Sequence, residues 1–376
     1  MTVRFIPALA GIVPYQPGLP VEVVKRRFGI DEVAKLASNE YPLPPFPEVK
    51  EAVTGAVDRL QRYPDGSSTQ LREALAAHHD RSPEEVTIGC GTCELLYLLA
   101  TALLEKGDEV VLADPSFSSY RDVIDIHGAV PVVVPLVDFA HDLEAMAAAV
   151  TPRTKIVFVC NPNNPTGTCV AAADVNRFVE RVPEDVLVVI DEAYIEFVTR
   201  PDRDDCLAVQ KEHDNVIVLR TFSKIYGLCG LRTGYGLCAP AVKQAVDKVR
   251  QPFNVNLLGQ LAAVEALKHQ DQVAARRESN AALRDGMATR LAARGRATVP
   301  SEANFMLVDM NGLRQPHDEV CATLLSMGVI IRDGNALGCP GWARVSVGTQ
   351  EEIEFFLQKL ASLEVGAQET GEGRPS

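Results

Sequence analysis

The segment Val186-Leu-Val-Val-Ile-Asp191-Glu-Ala-Tyr194 decides the fold. A short, mostly β-branched apolar run closes on a carboxylate. Such a run suits a strand buried on both faces of a parallel sheet. An acid at the carboxyl end of that strand stands where open α/β sheets bind ligands. It is also a common way to cap a following helix, so this segment alone fixes a strand and leaves its chemistry open.

Similar runs flank it: Glu85-Val-Thr-Ile, Glu109-Val-Val-Leu, Pro131-Val-Val-Val, Lys155-Ile-Val-Phe-Val and Val216-Ile-Val-Leu. Between the runs lie helical patterns over 94–104, 118–127, 142–150 and 171–182. The alternation predicts an α/β domain with helices on both faces of a mostly parallel sheet. The first 45 or so residues, with Tyr41-Pro-Leu-Pro-Pro-Phe-Pro, read as an extended arm. After 270 a long charged helix precedes apolar runs over 304–309, 329–332 and 344–347, which predict a smaller α+β domain. The expected division is 1–45 as arm and small-domain part, 46–270 as large domain, 271–363 as small domain and 364–376 as a disordered tail.

The 376 residues are 47% hydrophobic, more than one compact unit needs. A formal charge of −13 argues against a nucleic-acid or membrane-surface partner, so anionic substrates would need a few local arginines. No apolar run is long enough to span a membrane, and the first residues do not read as a signal peptide. The nine scattered cysteines predict reduced thiols and a cytoplasmic location. Only Cys90-Gly-Thr-Cys93 has metal or redox spacing, and no second pair completes a zinc site. No metal is expected.

Four segments carry chemistry. In Thr221-Phe-Ser-Lys224-Ile-Tyr-Gly-Leu-Cys-Gly-Leu-Arg232, a lysine follows a strand among hydroxyls, aromatics and glycines. It reads either as a solvated loop residue or as a desolvated amine able to form a Schiff base. In the latter case Thr221, Ser223 and Arg232 would hold a phosphate. Asp191 could face a pyridine nitrogen, with Tyr194 reaching a ring hydroxyl. Asn161-Pro-Asn-Asn164-Pro-Thr-Gly167 is a turn by composition, and Asn164 could meet the same hydroxyl. Ile88-Gly-Cys-Gly91-Thr92-Cys93-Glu94 passes from strand to helix and offers an anion site. It also approaches a dinucleotide fingerprint, with Asp114 downstream. Glu94, however, stands where a third glycine would allow close packing, which weakens an NAD-dependent dehydrogenase reading.

Together with Asp114-Pro-Ser-Phe117-Ser-Ser-Tyr120, these segments resemble the fold-type I pyridoxal-phosphate (PLP) aminotransferases. Arg62-Tyr63-Pro-Asp-Gly, Leu71-Arg-Glu-Ala-Leu, Pro252-Phe-Asn-Val-Asn, Pro300-Ser-Glu-Ala-Asn-Phe and Arg344-Val-Ser-Val-Gly-Thr narrow the likeness to the histidinol-phosphate aminotransferases, over about 5–363. The resemblance implies a seven-stranded-type sheet and PLP as cofactor. It implies transamination of histidinol phosphate with 2-oxoglutarate, giving imidazole-acetol phosphate and glutamate, by a homodimer with shared sites. By position it makes Lys224 the Schiff-base lysine and Asp191 the partner of the ring nitrogen, with Asn164 and Tyr194 at the ring hydroxyl. Gly91, Thr92, Cys93, Ser223 and Arg232 would surround the cofactor phosphate, and Phe117 would stack on the ring. Tyr63 is similar to a tyrosine that reaches the neighbouring subunit's cofactor. Arg344 would hold the substrate's acidic group, with Tyr15, Asn39 and Arg332 nearby.

Two departures stand out. Cys93 occupies a position usually polar in the family, and Cys229 one where alanine is common. Other readings stay open: an aromatic or broad-range aminotransferase, a PLP-dependent amino-acid-phosphate decarboxylase, and a non-catalytic PLP-binding protein. The last would usually carry a basic DNA-binding extension, for which this chain shows no stretch.

Overall fold

The computed structural model describes residues 3–6, 9, 11–12, 14, 18–200 and 205–364. Tyr15 and all of the expected tail except Glu364 lie outside the described residues. Glu364 itself forms an isolated bridge with Leu313.

The strands are β1 (Ala34–Lys35), β2 (Val86–Gly89), β3 (Glu109–Asp114), β4 (Val130–Pro135), β5 (Thr154–Cys160) and β6 (Leu187–Asp191), then β7 (Val216–Thr221), β8 (Gly234–Cys238), β9 (Phe305–Asp309), β10 (Val329–Ile330), β11 (Arg332–Asp333) and β12 (Trp342–Ser346). A seven-stranded sheet runs in the order β2-β8-β7-β6-β5-β3-β4. Its pairs are parallel from β7 through β4. β8 is antiparallel to both its neighbours, so β2 meets only an antiparallel partner.

The apolar runs are continuous because each strand is covered twice. In β6, Leu187 and Val189 pack with Leu95, Tyr120 and Val246, whereas Val188 and Ile190 pack with Val175, Phe178 and Val209. The period of two puts Asp191 on the Leu187 face. That face is covered by the helices Thr92–Leu103 and Ser119–Ile126.

One sequence expectation needs correction, and one strand has no counterpart among the apolar runs. The arm is not extended throughout: Val21–Phe28 is a helix stopped by Gly29 at φ 66°. Next, β1 pairs in parallel with β10, and Ala34 and Leu36 join the core of Met306, Val308 and Phe356. Prolines on both sides hid this short amphipathic stretch. β8 is not among the apolar runs of the sequence, because it begins Gly234-Tyr-Gly. Those glycines are there for clearance: a Cβ at Gly234 would stand 2.7 Å from the Thr92 nitrogen, and one at Gly236 2.9 Å from Ile217.

β11, β12 and β9 form an antiparallel sheet in that order, backed by the helices Gln270–Ala292 and Gln350–Ala361. No helix among the described residues is long and apolar enough to cross a membrane.

Candidate active site

The carboxyl ends of β5, β6 and β7 converge with the 39–47 segment and with β12. Asp191 ends β6 at 2% exposure. Its Oδ2 accepts from the Tyr120 hydroxyl at 2.9 Å and its Oδ1 from the Ala193 nitrogen at 3.1 Å. Burial pushes its carboxyl up to about 6, against the lowering effect of the Tyr120 hydrogen bond. Tyr120 is fully buried and stacks on Phe158 with ring centroids 4.5 Å apart.

Asn164 is held in a bolted loop. The Asn161 nitrogen donates to the Asp191 carbonyl at 2.9 Å, and the Gly167 nitrogen to the Asn163 carbonyl at 2.7 Å. Ser116 Oγ donates to Asn163 Oδ1, joining this loop to the one carrying Phe117. Phe117 is half-buried, edge-on to Tyr120 at 5.6 Å. The Tyr194 hydroxyl accepts from Asn39 Nδ2 at 3.0 Å and Asn164 Nδ2 at 3.5 Å. Asn164 Oδ1 accepts from Arg344 Nη1 at 2.5 Å, and the Ala37 carbonyl takes Nη2 at 2.7 Å. Arg332 lies directly opposite Arg344 in the β11–β12 register.

Lys224 is half-buried, its Nζ 3.4 Å from the Asn39 carbonyl and 5.3 Å from the Tyr194 ring centroid. Thus Asn39, Asn164, Asp191, Tyr194, Lys224 and Arg344, drawn from five separate stretches of the sequence, come together.

Beside them is a cradle. Gly91, at φ 77°, precedes the twelve-residue helix that Thr92 opens. A Cβ on Gly91 would stand 2.6 Å from Arg232 Nη2. Arg232 Nη1 donates to Ser223 Oγ at 3.3 Å and to the Cys229 carbonyl at 3.0 Å. Thr221 Oγ1 accepts from the Ser223 nitrogen at 3.0 Å. Helix-start N–H groups, two hydroxyls and a guanidinium are groups that can hold an anion. Cys93 reaches the same place: burial and Asp191 push its thiol up, while Arg232, Lys224 and a Ser119 hydrogen bond pull it down. Glu94 does not crowd the turn as a third-glycine replacement would. Its Oε2 accepts from the Cys90 nitrogen at 2.5 Å and from Asn254 at 2.6 Å.

Tyr63 stands apart. It is 81% exposed and stacks on Phe253 at 4.6 Å. With Arg62, Leu257 and Leu261 it lines a recess of about 310 Å³.

Sequence reasoning missed three side chains. Tyr120 stands in the first turn of the helix Ser119–Ile126, just after Phe117, and its hydroxyl reaches Asp191. Ser346 Oγ donates to Asn39 Oδ1 at 3.0 Å, and Asn304 Nδ2 donates to the Asn39 carbonyl at 3.1 Å. Both lie in motifs noted in the sequence, but nothing local signalled their partner.

The family model for aminotransferase class I and II matches residues 31–360, and this chain belongs to that family. Its fold is the fold-type I arrangement, and it is an enzyme of the transaminase class. The histidinol-phosphate aminotransferase of Moorella thermoacetica is 47% identical over 357 residues, 95% of this chain and 92% of that one. The enzyme of that name from Brevibacillus brevis is 45% identical over 356 residues, 94% and 96% of the two chains. Among solved structures, histidinol-phosphate aminotransferase from Sinorhizobium meliloti in complex with pyridoxal-5'-phosphate matches with a TM-score of 0.88 and 32% identity. That match covers 96% of this chain and 99% of the other.

Proposed function

We propose that this chain transfers the amino group of L-histidinol phosphate to 2-oxoglutarate with pyridoxal 5'-phosphate, a step of histidine biosynthesis. The carrying observation is the joining of a buried carboxylate, a half-buried lysine amine and an anion cradle at the carboxyl ends of β6 and β7. The residues fit the cofactor: the space a Gly91 Cβ would fill lies against Arg232, as a phosphate cup requires. When bound, pyridoxal phosphate supplies the carbonyl that takes up the amino group and the ring that delocalises charge from the substrate α-carbon.

In this reading each side chain of the site has a part. Asp191, oriented by Tyr120, would keep a proton on the ring nitrogen by its charge. Tyr194 and Asn164 would bind the ring hydroxyl, and Phe117 would cover the ring. Gly91, Thr92, Cys93, Thr221, Ser223 and Arg232 take the phosphate. Lys224 Nζ is the amine that would take the proton from the substrate α-carbon and hand it back. Arg344, with Arg332 across the β11–β12 pair, binds the substrate phosphate, or the carboxylates of glutamate in the second half-reaction. Asn39 closes the substrate side, where Tyr15 also belongs in this reading.

The working unit is a homodimer in the cytoplasm. Tyr63 and Phe253, exposed and stacked, form part of the contact, and Tyr63 reaches the partner's cofactor phosphate. The nine free thiols suit a reducing compartment. The chain divides as 1–45 with 271–363 against 46–270.

A donor panel assayed against 2-oxoglutarate tests the substrate. Histidinol phosphate should exceed phenylalanine and tyrosine in kcat/KM. Arg332→Gln should lower only the histidinol phosphate value strongly, by roughly ten- to a hundredfold for a lost charge-assisted contact. An enzyme that favours phenylalanine is an aromatic aminotransferase instead.

A further inference from the structure

Arg276 sits in the helix Gln270–Ala292 at 9% exposure. Its Nη1 donates to the Ile225 carbonyl at 2.7 Å and its Nη2 to the Pro44 carbonyl at 2.6 Å. The guanidinium carbon lies 4.1 Å from the Phe46 ring centroid and 4.5 Å from that of Tyr41. Among the described residues no carboxylate pairs with it, and burial lowers its pKa. A buried cation held only by carbonyls and rings is a costly way to fill space. What a guanidinium supplies there, and an apolar side chain does not, is a fixed fork that spans two carbonyls.

Those carbonyls belong to the two segments that meet at Lys224. Ile225 follows Lys224 directly, inside the turn closed by the Gly227 nitrogen on the Lys224 carbonyl at 2.9 Å. A Cβ at Gly227 would stand 3.1 Å from Arg276 Nη1 and 3.4 Å from the Leu43 carbonyl, so the turn is seated against both. Pro44 belongs to the segment that begins at Asn39, whose carbonyl takes Lys224 Nζ at 3.4 Å. Asn39 also donates to the Tyr194 hydroxyl.

We propose that Arg276 is a positioning residue of the transamination site: it ties the Lys224 turn to the 39–47 segment and so sets where Lys224 Nζ stands relative to Asn39 and Tyr194. The proposal rests on the reading of Lys224 as the amine that carries the cofactor. Arg276 touches neither substrate nor cofactor. Its effect is on the placement of the proton-moving amine, where small errors are expensive in rate.

The test compares wild type, Arg276→Met and Arg276→Lys as holoenzymes. Single-turnover rate with histidinol phosphate, KM and the visible circular dichroism of the bound cofactor are read on each. Arg276→Met should lower the single-turnover rate roughly ten- to a hundredfold, change KM less than about threefold, and alter the visible dichroic band. Arg276→Lys keeps a cation and one donor, and should recover part of the rate and of the band. If Arg276→Met does not fold, Arg276→Lys carries the test, with a rate clearly below wild type. A variant that melts earlier yet keeps wild-type rate and dichroism overturns the positioning role. A wild-type protein with no cofactor band would instead overturn the reading of Lys224.

Discussion

The floor of the site and its outer rim are built on opposite terms. At the floor, Asp191, Tyr194 and Asn164 are at most 7% exposed, and each has hydrogen-bond partners within its own chain. At the rim, Tyr63 is 81% exposed and Phe253 44%, stacked only on each other. The floor is preorganised by strand packing before any ligand arrives, so its groups act by charge and position. The rim has its aromatic area still to bury, which a second copy of the chain would do. In the proposed reading, chemistry is placed at the rigid carboxyl ends of the inner strands, and assembly would be left to a loop.

The sharpest way to break the floor half of this contrast is Asp191→Asn. An amide keeps the shape and loses the charge that holds the ring proton. The rate should fall by roughly a hundred- to a thousandfold, on the order of 3–4 kcal/mol, and a loss under threefold would reduce Asp191 to a structural group. The same variant has a stability signature in cofactor-free protein. The Asp191 carboxyl is raised from 3.8 to about 6 by burial. The folded state therefore binds the proton more tightly than the unfolded chain. Wild-type stability should be greatest below pH 4 in this term and decline as pH rises through about 6, by on the order of 3 kcal/mol. Asp191→Asn should lack that decline. Equal pH slopes for the two proteins in thermal melts would mean the carboxylate is already neutralised inside the apoprotein.

The rim half is sharpened by mixing subunits. Tyr63→Ala should cost roughly ten- to a hundredfold if its hydroxyl meets the partner's cofactor phosphate. Exchanged with inactive Lys224→Ala subunits, it should recover roughly a quarter of wild-type activity, because half the dimers then hold one complete site. No recovery despite proven exchange would place Tyr63 within its own subunit's function, or none.

Legibility in the sequence followed the same divide. The six apolar runs and the carboxylate after β6 were readable because burial on both faces leaves an unbroken pattern. Lys224, Arg232 and Asn164 stand out as candidates because their neighbours are unusual for loops. β8 was not readable, since its glycines answer to the nearness of Thr92 and Ile217 rather than to any local rule. The helix Val21–Phe28 was lost between prolines. Tyr120 was inside a noted motif, yet its hydroxyl's target lies 71 residues away. Ser346 and Asn39 are 307 apart. Such pairings are set by the tertiary fold, and no window of sequence contains them.

The most direct measurement is chemical. Holoenzyme is reduced with borohydride, which fixes the cofactor to whichever amine carries it, then digested and mapped by mass. The account predicts one modified peptide, bearing pyridoxyl phosphate on Lys224, with activity lost in step with labelling. Label on another lysine, or full labelling of Lys224 with activity retained, would contradict it.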